Sequence, residues 1–335
     1  MPFKKLLLSF LFALLVSSPV FANHEVEPLF KTDNAECSIW GYASFTGGTK
    51  QDFMANPIRL RTSCKYKNFS FFMENDISGL DNRIHPNYIT QAWVGYNFGK
   101  EGLVGNMFSD TTVRAGSVLT AGGLYLPPAY LAITIGSPSN PFHHYGYGVQ
   151  LQTKITPSLT FIADVTGPTG PSFNDPQRFN GMETSQRLVW DVKKNLQLSI
   201  SNQKSDISQR TGVGVKYSPT ENLDLYGGGY RAKEEARSEK PGTTVGGYGL
   251  ADYKVWGMKD NKLDLRVHGM VEKTSGATNY TGVTAGTSLV LPENGPYGRL
   301  GGSSVTVDLL HSETKPNDGP KIEDDVVGIR VRVFF

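Results

Sequence analysis

The sequence predicts an all-β fold, an antiparallel β-barrel of about sixteen strands that crosses a membrane. Three observations carry that expectation. First, the segment 324–335 reads Asp-Asp-Val-Val-Gly-Ile-Arg-Val-Arg-Val-Phe-Phe. Phe335, Val333, Val331, Ile329 and Val327 share one parity, and Phe334, Arg332, Arg330, Gly328 and Val326 share the other. A period of two belongs to a strand, not a helix. In water, an edge strand ending in two phenylalanines would be an aggregation hazard. Closing a barrel inside a membrane removes the edge and gives the apolar face a solvent. Second, short turns alternate with longer polar connections along the chain. Third, after residue 22 nothing approaches the roughly 18 unbroken apolar residues of a transmembrane helix. Yet the chain carries 37 Gly, 15 Tyr and 18 Phe. Strands with one lipid face and one wet face average out in this way.

The elements follow in order. Residues 1–22 are expected to be a cleaved secretory signal. Lys4 and Lys5 form its positive start, 6–16 an apolar run too short to span a bilayer, and Val20-Phe21-Ala22 the small-residue cleavage site. The barrel then occupies 23–335, with 23–36 as an irregular lead-in. The first expected strands are 37–46, 57–67, 69–79 and 88–99. Next come 103–109, 145–155, 159–167 and 183–193, then 196–203, 211–217, 223–232 and 243–256. The set closes with 263–273, 279–291, 300–312 and 324–335. Short turns fall at 67–68, 99–102, 156–158, 194–195, 218–222, 257–262 and 292–299. They are rich in Gly, Pro, Asn and Lys, as tight turns require. Longer connections fall at 80–87, 168–182, 204–210, 233–242 and 313–323. Short turns on one side and long loops on the other are the pattern of a transmembrane barrel.

The two cysteines are Cys37 and Cys64. If the first two strands pair as a hairpin centred near Lys50, these positions face each other and a disulfide is expected in an oxidising compartment. A shifted register would leave two free thiols.

The last strand, alternating and ending in Phe335, resembles the C-terminal signature of Gram-negative outer-membrane β-barrels. The resemblance implies a location in the cell outer membrane, surrounded by lipid bilayer and lipopolysaccharide, and reading of that strand by the barrel-assembly machinery. The run Ala92-Trp93-Val94-Gly95-Tyr96-Asn97-Phe98-Gly99, followed by Gly102-Leu103-Val104-Gly105-Asn106, resembles the strand-turn-strand before the constriction loop of general diffusion porins. The next segment, 110–144, is the longest without an expected strand. By that resemblance it folds inward and narrows the lumen, and Leu124, Tyr125, Leu126, Tyr130 and Leu131 would pack it on the inner wall. Porin loops of this kind commonly carry an acidic cluster, whereas here the charged residues are Asp110 and Arg114. A homotrimer is the further expectation of the resemblance.

Charge along the second expected strand is one-sided. Arg59, Arg61, Lys65 and Lys67 share a parity with Ser63, while Ile58, Leu60, Thr62, Cys64 and Tyr66 share the other. A cation at mid-bilayer costs about 2–4 kcal/mol, so the charged parity faces the lumen. Barrel closure brings Arg330 and Arg332 of the last strand beside this wall. A basic ladder bordering a narrowing favours anions. Glu74 and Asp76 on the third strand partly offset it, and the alternative is that these charges pair with one another. Tyr66, Phe69, Tyr96, Phe98, Tyr217, Tyr253 and Phe335 suit interfacial girdles.

The formal net charge of +2 falls to near zero without Lys4 and Lys5, which leaves no basic field for nucleic acid. There is no Gly-x-Ser-x-Gly, phosphate-binding loop or His-Glu-x-x-His, so no catalytic role and no cofactor are expected. His268 lies on the wet parity beside Arg266 and Glu272. His143-His144 offers two metal ligands without a third, and His311-Ser312 stands at a strand end without an evident acid. The function expected is passive diffusion of small hydrophilic solutes and ions, with a weak preference for anions. The alternatives are a plugged or adhesive barrel, or a barrel hydrolase.

Overall fold

The computed structural model describes residues 28–49, 51–76, 88–99, 110–121, 145–167, 182–206, 208–234, 242–257, 263–276, 278–292, 300–316 and 319–335. The strands are β1 (Phe30–Lys31), β2 (Ala35–Gly48), β3 (Gln51–Tyr66), β4 (Phe69–Asp76) and β5 (Tyr88–Asn97). They continue as β6 (Thr112–Leu119), β7 (Tyr145–Thr156), β8 (Leu159–Thr166) and β9 (Glu183–Lys193). Next are β10 (Leu196–Lys204), β11 (Ser208–Thr220), β12 (Leu223–Glu234) and β13 (Gly242–Gly257). The last are β14 (Asp264–Ser275), β15 (Thr278–Val290), β16 (Ser304–Pro316) and β17 (Ile322–Phe334).

All described strands lie in one sheet of seventeen, and the two-residue β1 merely lies against β2. The other sixteen pair antiparallel, each with the next in the chain. The ring shuts where β17 pairs with β2, Arg330 opposite Thr46 and Phe334 opposite Tyr42. Phe335 continues that seam, its amide and carbonyl both bonded to Gly41 at 3.0 and 2.8 Å. The closing strand therefore has no free edge, as its composition requires.

Polarity is inverted relative to a water-soluble protein. On β14 the inward parity holds Asp264, Arg266, His268 and Glu272, and the outward parity Val267, Gly269 and Val271. Asp252, Asp308, Thr306 and Gln203 are 0% exposed, while Val213, Ile200 and Val271 are more than half exposed. Alternation of this hand, sustained around the ring, is what a lipid-facing barrel needs. Along β16 the outward residues run Val305, Val307, Leu309, then His311, Glu313, Lys315. Along β17 they run Glu323, Asp325, then Val327, Ile329, Val331, Val333. The apolar belt thus ends between Leu309 and His311 and between Asp325 and Val327. At the end holding the termini, Tyr66, Phe69, Trp190, Tyr217, Tyr253 and Phe335 are all exposed and outward. Five of the seven expected girdle residues are among them, with Trp190 as a member the sequence reading had missed, while Tyr96 and Phe98 are half-buried, Tyr96 packing on both Phe69 and Phe98.

Fifteen of the sixteen expected strands overlap described strands, but the expected alternation of short and long connections holds only in part. Three outer connections are tighter than the expected long loops: β2 and β3 meet around 49–50, β10 and β11 around 205–207, and β14 and β15 around 276–277. At the other end Lys67 leaves β3 for a two-residue turn with φ 51°, the left-handed conformation that hairpin turns favour.

One assignment needs correction. The expected strand 103–109 lies outside the described residues, as does the signal 1–22. The strand described after β5 is β6, within the segment 110–144 expected to be loop. Thr-Val-Arg-Ala-Gly-Ser-Val-Leu hid it, because polar and small residues fall on both parities. Gly116 adds to the disguise. It takes φ 133°, and a Cβ there would run into the backbone carbonyl of Ala92. The chain leaving β6 is described as far as Ala121, and the rest of the expected loop, with Leu124, Tyr125, Leu126, Tyr130 and Leu131, lies outside the described residues.

Candidate solute-conducting lumen

The arginines expected to form a basic wall lie on β3 and β17, the two strands that flank β2. Arg59 and Arg61 on β3 lie opposite Tyr42 and Trp40 of β2, and β17 sets Arg332 opposite Ser44. All of these share the inward parity. Tyr42 is the centre of the group: the Arg332 guanidinium lies 4.8 Å and that of Arg61 5.4 Å from its ring centroid. A cation held on a ring face in this way is stabilised without a carboxylate. Arg330 donates to Thr46 Oγ1 at 3.3 Å. Lys65 is exposed near the end with the termini, across from Glu36 and Ser70.

The wall is not uniformly cationic. Glu74, 2% exposed, accepts from Arg59 at 3.0 Å and from Arg61 at 2.5 Å. Both β3 arginines thus share one carboxylate. Among the described residues no carboxylate bonds Arg332.

Sequence reasoning missed the sector across the barrel, because its partners lie one or two strands apart. Arg266 reaches Asp252 at 2.6 Å and Asp224 at 3.2 Å, and Arg210 reaches Glu234 at 3.1 Å. His268 bonds Asp308 at 2.7 Å with both side chains fully buried. Inward parity plus opposite charge at matching register was the available signal. His311, for which no acid was evident, meets Asp325 at 2.8 Å on the outer rim, above the apolar belt. Among the described residues no group of three His, Cys, Asp or Glu could hold a metal ion. His143-His144 lies outside them.

The two residues expected on the constriction loop part company. Asp110 sits at the end with the termini, just before β6, with φ 55° and its amide bonded to Gly99. The chain reaches β6 from that side, so Asp110 cannot lie on an outer loop. Arg114 is on β6 itself. Its guanidinium rests 4.5 Å from the Trp93 centroid and donates to Gln150 at 3.1 Å. At the end of β6 the Leu119 carbonyl accepts from Gln150 Nε2 at 2.7 Å, and beyond it the Ala121 amide donates to the Asp164 carboxylate. Asp164 is on β8, inward, so the chain leaving β6 passes across the inner face of β7. Thr120 and Ala121 are accordingly buried.

Cys37 and Cys64 stand directly opposite on β2 and β3, Cα atoms 4.1 Å apart and sulfurs bonded. They lie on the outward parity, away from the lumen.

No protein-family model matches the chain, and no curated protein resembles it in sequence. Solved structures do resemble it in shape. The outer membrane channel DcaP of Acinetobacter baumannii superposes with a TM-score of 0.65 at 12% identity, over 91% of this chain and 99% of that one. OmpT of Vibrio cholerae, an outer membrane protein also solved in a trimer form, gives 0.59 at 11% identity over 90% and 100%. An anion-selective porin from Comamonas acidovorans gives 0.58 at 12% identity over 90% and 100%. With the inverted polarity and the closed ring, these likenesses make the fold that of the outer-membrane porins and channels.

Proposed function

We propose that the protein is an outer-membrane diffusion channel for small hydrophilic solutes and ions, with a preference for anions. The observation that carries this reading is the chain leaving β6, tied to the inner wall through Ala121 and Asp164. A wet, polar interior replaces the hydration a solute would lose in lipid, and an inward segment sets a size limit. No chemical step is required. Arg332, without a carboxylate partner among the described residues, supplies net positive potential where Arg59 and Arg61 are offset by Glu74. An anion-selective porin among the similar folds is consistent with that sign.

The same reading puts the protein in the outer membrane, with lipopolysaccharide around the outer rim and the Phe335 strand read by the barrel-assembly machinery; the apolar outward belt and the alternating last strand support it. A homotrimer is supported by the trimer form of a similar fold. The test is current through the refolded protein in a planar bilayer under a salt gradient. Stepwise conductance with an anion-favouring reversal potential is expected. A cation-favouring potential would overturn the charge reading, and no conductance from folded protein would leave a plugged barrel or an enzyme.

A further inference from the structure

A cavity of about 280 Å³ opens on the inner wall between β4 and β9, away from the arginines of β3 and β17. Its volume is at the small end of ligand pockets, roughly 300–1,000 Å³. Arg114 and Arg187 line it, with the amides of Gln150 and Gln152. The rest of its surface is largely apolar, from Phe72, Trp93, Val118, Leu119 and Ile162.

Arg114 differs from most inward arginines. Arg59 and Arg61 bond Glu74, Arg210 bonds Glu234, and Arg266 bonds two aspartates. Among the described residues no carboxylate bonds Arg114. It has the Trp93 face and one oxygen of Gln150, itself 5% exposed, and so is held rigidly with its charge uncompensated. A cation beside apolar walls gains more from an anionic partner than one in open water.

We propose that this cavity binds small organic monoanions, a carboxylate on an apolar body, with the carboxylate on Arg114 and the body against Phe72 and Ile162. A bare inorganic anion would leave the apolar walls wet and gain nothing from them. A sugar stacked on Trp93 is disfavoured because its ring is already engaged. Arg114 covers one contact and Phe72 stacks at 5.6 Å with planes 22° apart. The proposal rests on the channel reading only in needing a water-accessible interior.

The test is titration of the full chain, folded in detergent micelles, by calorimetry and tryptophan fluorescence. The probes are benzoate, acetate, which has the charge without the ring, and benzyl alcohol, which has the ring without the charge. Benzoate should bind saturably, with both controls at least tenfold weaker. R114Q should weaken benzoate at least tenfold, and R59Q should leave it unchanged. F72A should weaken benzoate while leaving acetate as it was, which keeps the test decisive if R114Q folds poorly. Benzoate binding no tighter than acetate, or unchanged in R114Q, would overturn the proposal. Since binding is read without conductance, a closed barrel that binds and an open one that does not are told apart.

Discussion

His268 Nε2 and Asp308 Oδ1 meet at 2.7 Å although they sit on β14 and β16, with β15 between them. The bond passes directly over Gly286, which pairs with both residues in register. A Cβ at Gly286 would lie 2.5 Å from the imidazole and closer still to the carboxylate. Gly286 is therefore the gap that lets two strands communicate across a third. G286A should part the pair and lower stability by about 1–3 kcal/mol, the cost of leaving a buried polar group poorly bonded. Urea unfolding in lipid vesicles measures it. A midpoint equal to that of the parent chain would mean that the pair tolerates separation.

The same relationship marks the limit of what the sequence discloses. Strand existence and facing were legible because period-two alternation survives in single strands, as in Val327 to Val333. The arginines at 59, 61, 330 and 332 could be placed inward on lipid energetics alone. Partners two strands apart, such as His268 and Asp308, depend on shear and on which register closes the ring, and no local pattern encodes them. β6 was missed for a different reason. Of Val113, Ala115 and Ser117, which share one parity, only Val113 is a bulky apolar side chain, and Ser117 and Val118 are both buried, so the strand's alternation is faint.

Burial ranks the arginines by effect on ion preference. Removing Arg59 or Arg332 takes away one positive charge in either case, but the Arg59 side chain is 22% exposed and Arg332 is 7% exposed, so water screens the first more than the second. R332Q should move the reversal potential further toward cations than R59Q, and E74Q should move it toward anions. Equal shifts from R332Q and R59Q would show that Tyr42 shields Arg332 from the lumen.

Cys37 and Cys64 close a loop with a sequence separation of 27 on the outward side of the first hairpin. Cross-linking restricts the unfolded chain, typically by about 2–4 kcal/mol. C37S/C64S should lower the urea midpoint by an amount in the lower part of that range, since the β2–β3 ladder already holds the two ends. Conductance should be unchanged, because neither sulfur faces the lumen. A conductance change would place the bond in the service of lumen shape.

Lys321 bridges Glu313 and Glu323 at 2.7 Å each, in the outer connection between β16 and β17. Its bonds to Glu313 and then Glu323 raise its pKa above the ordinary 10.5. A raised folded value means that the stabilisation is complete below the ordinary value and is lost as pH rises through the raised one. The bridge therefore contributes constantly through neutral pH and fails only in strong alkali. Acylation of Lys321 near pH 9 should be slow and should speed up severalfold in E313Q/E323Q. An unchanged rate would mean that the bridge is not populated in solution.

Asp164 is the anchor on which the inward path of the chain turns. Its carboxylate, 4% exposed, takes the Ala121 amide from across β7. A charge-assisted bond of this kind is worth about 1.5–3 kcal/mol, enough to hold a short stretch of backbone against the wall. D164A should release Thr120 and Ala121 and enlarge the passage, raising single-channel conductance and open-channel noise. V165A, on the outward face of the same strand, should do neither, which separates loss of the anchor from general loosening of β8. If D164A conducts like the parent chain, the narrowest point lies elsewhere along the lumen, and the basic arc around Tyr42 becomes the better candidate for the size limit.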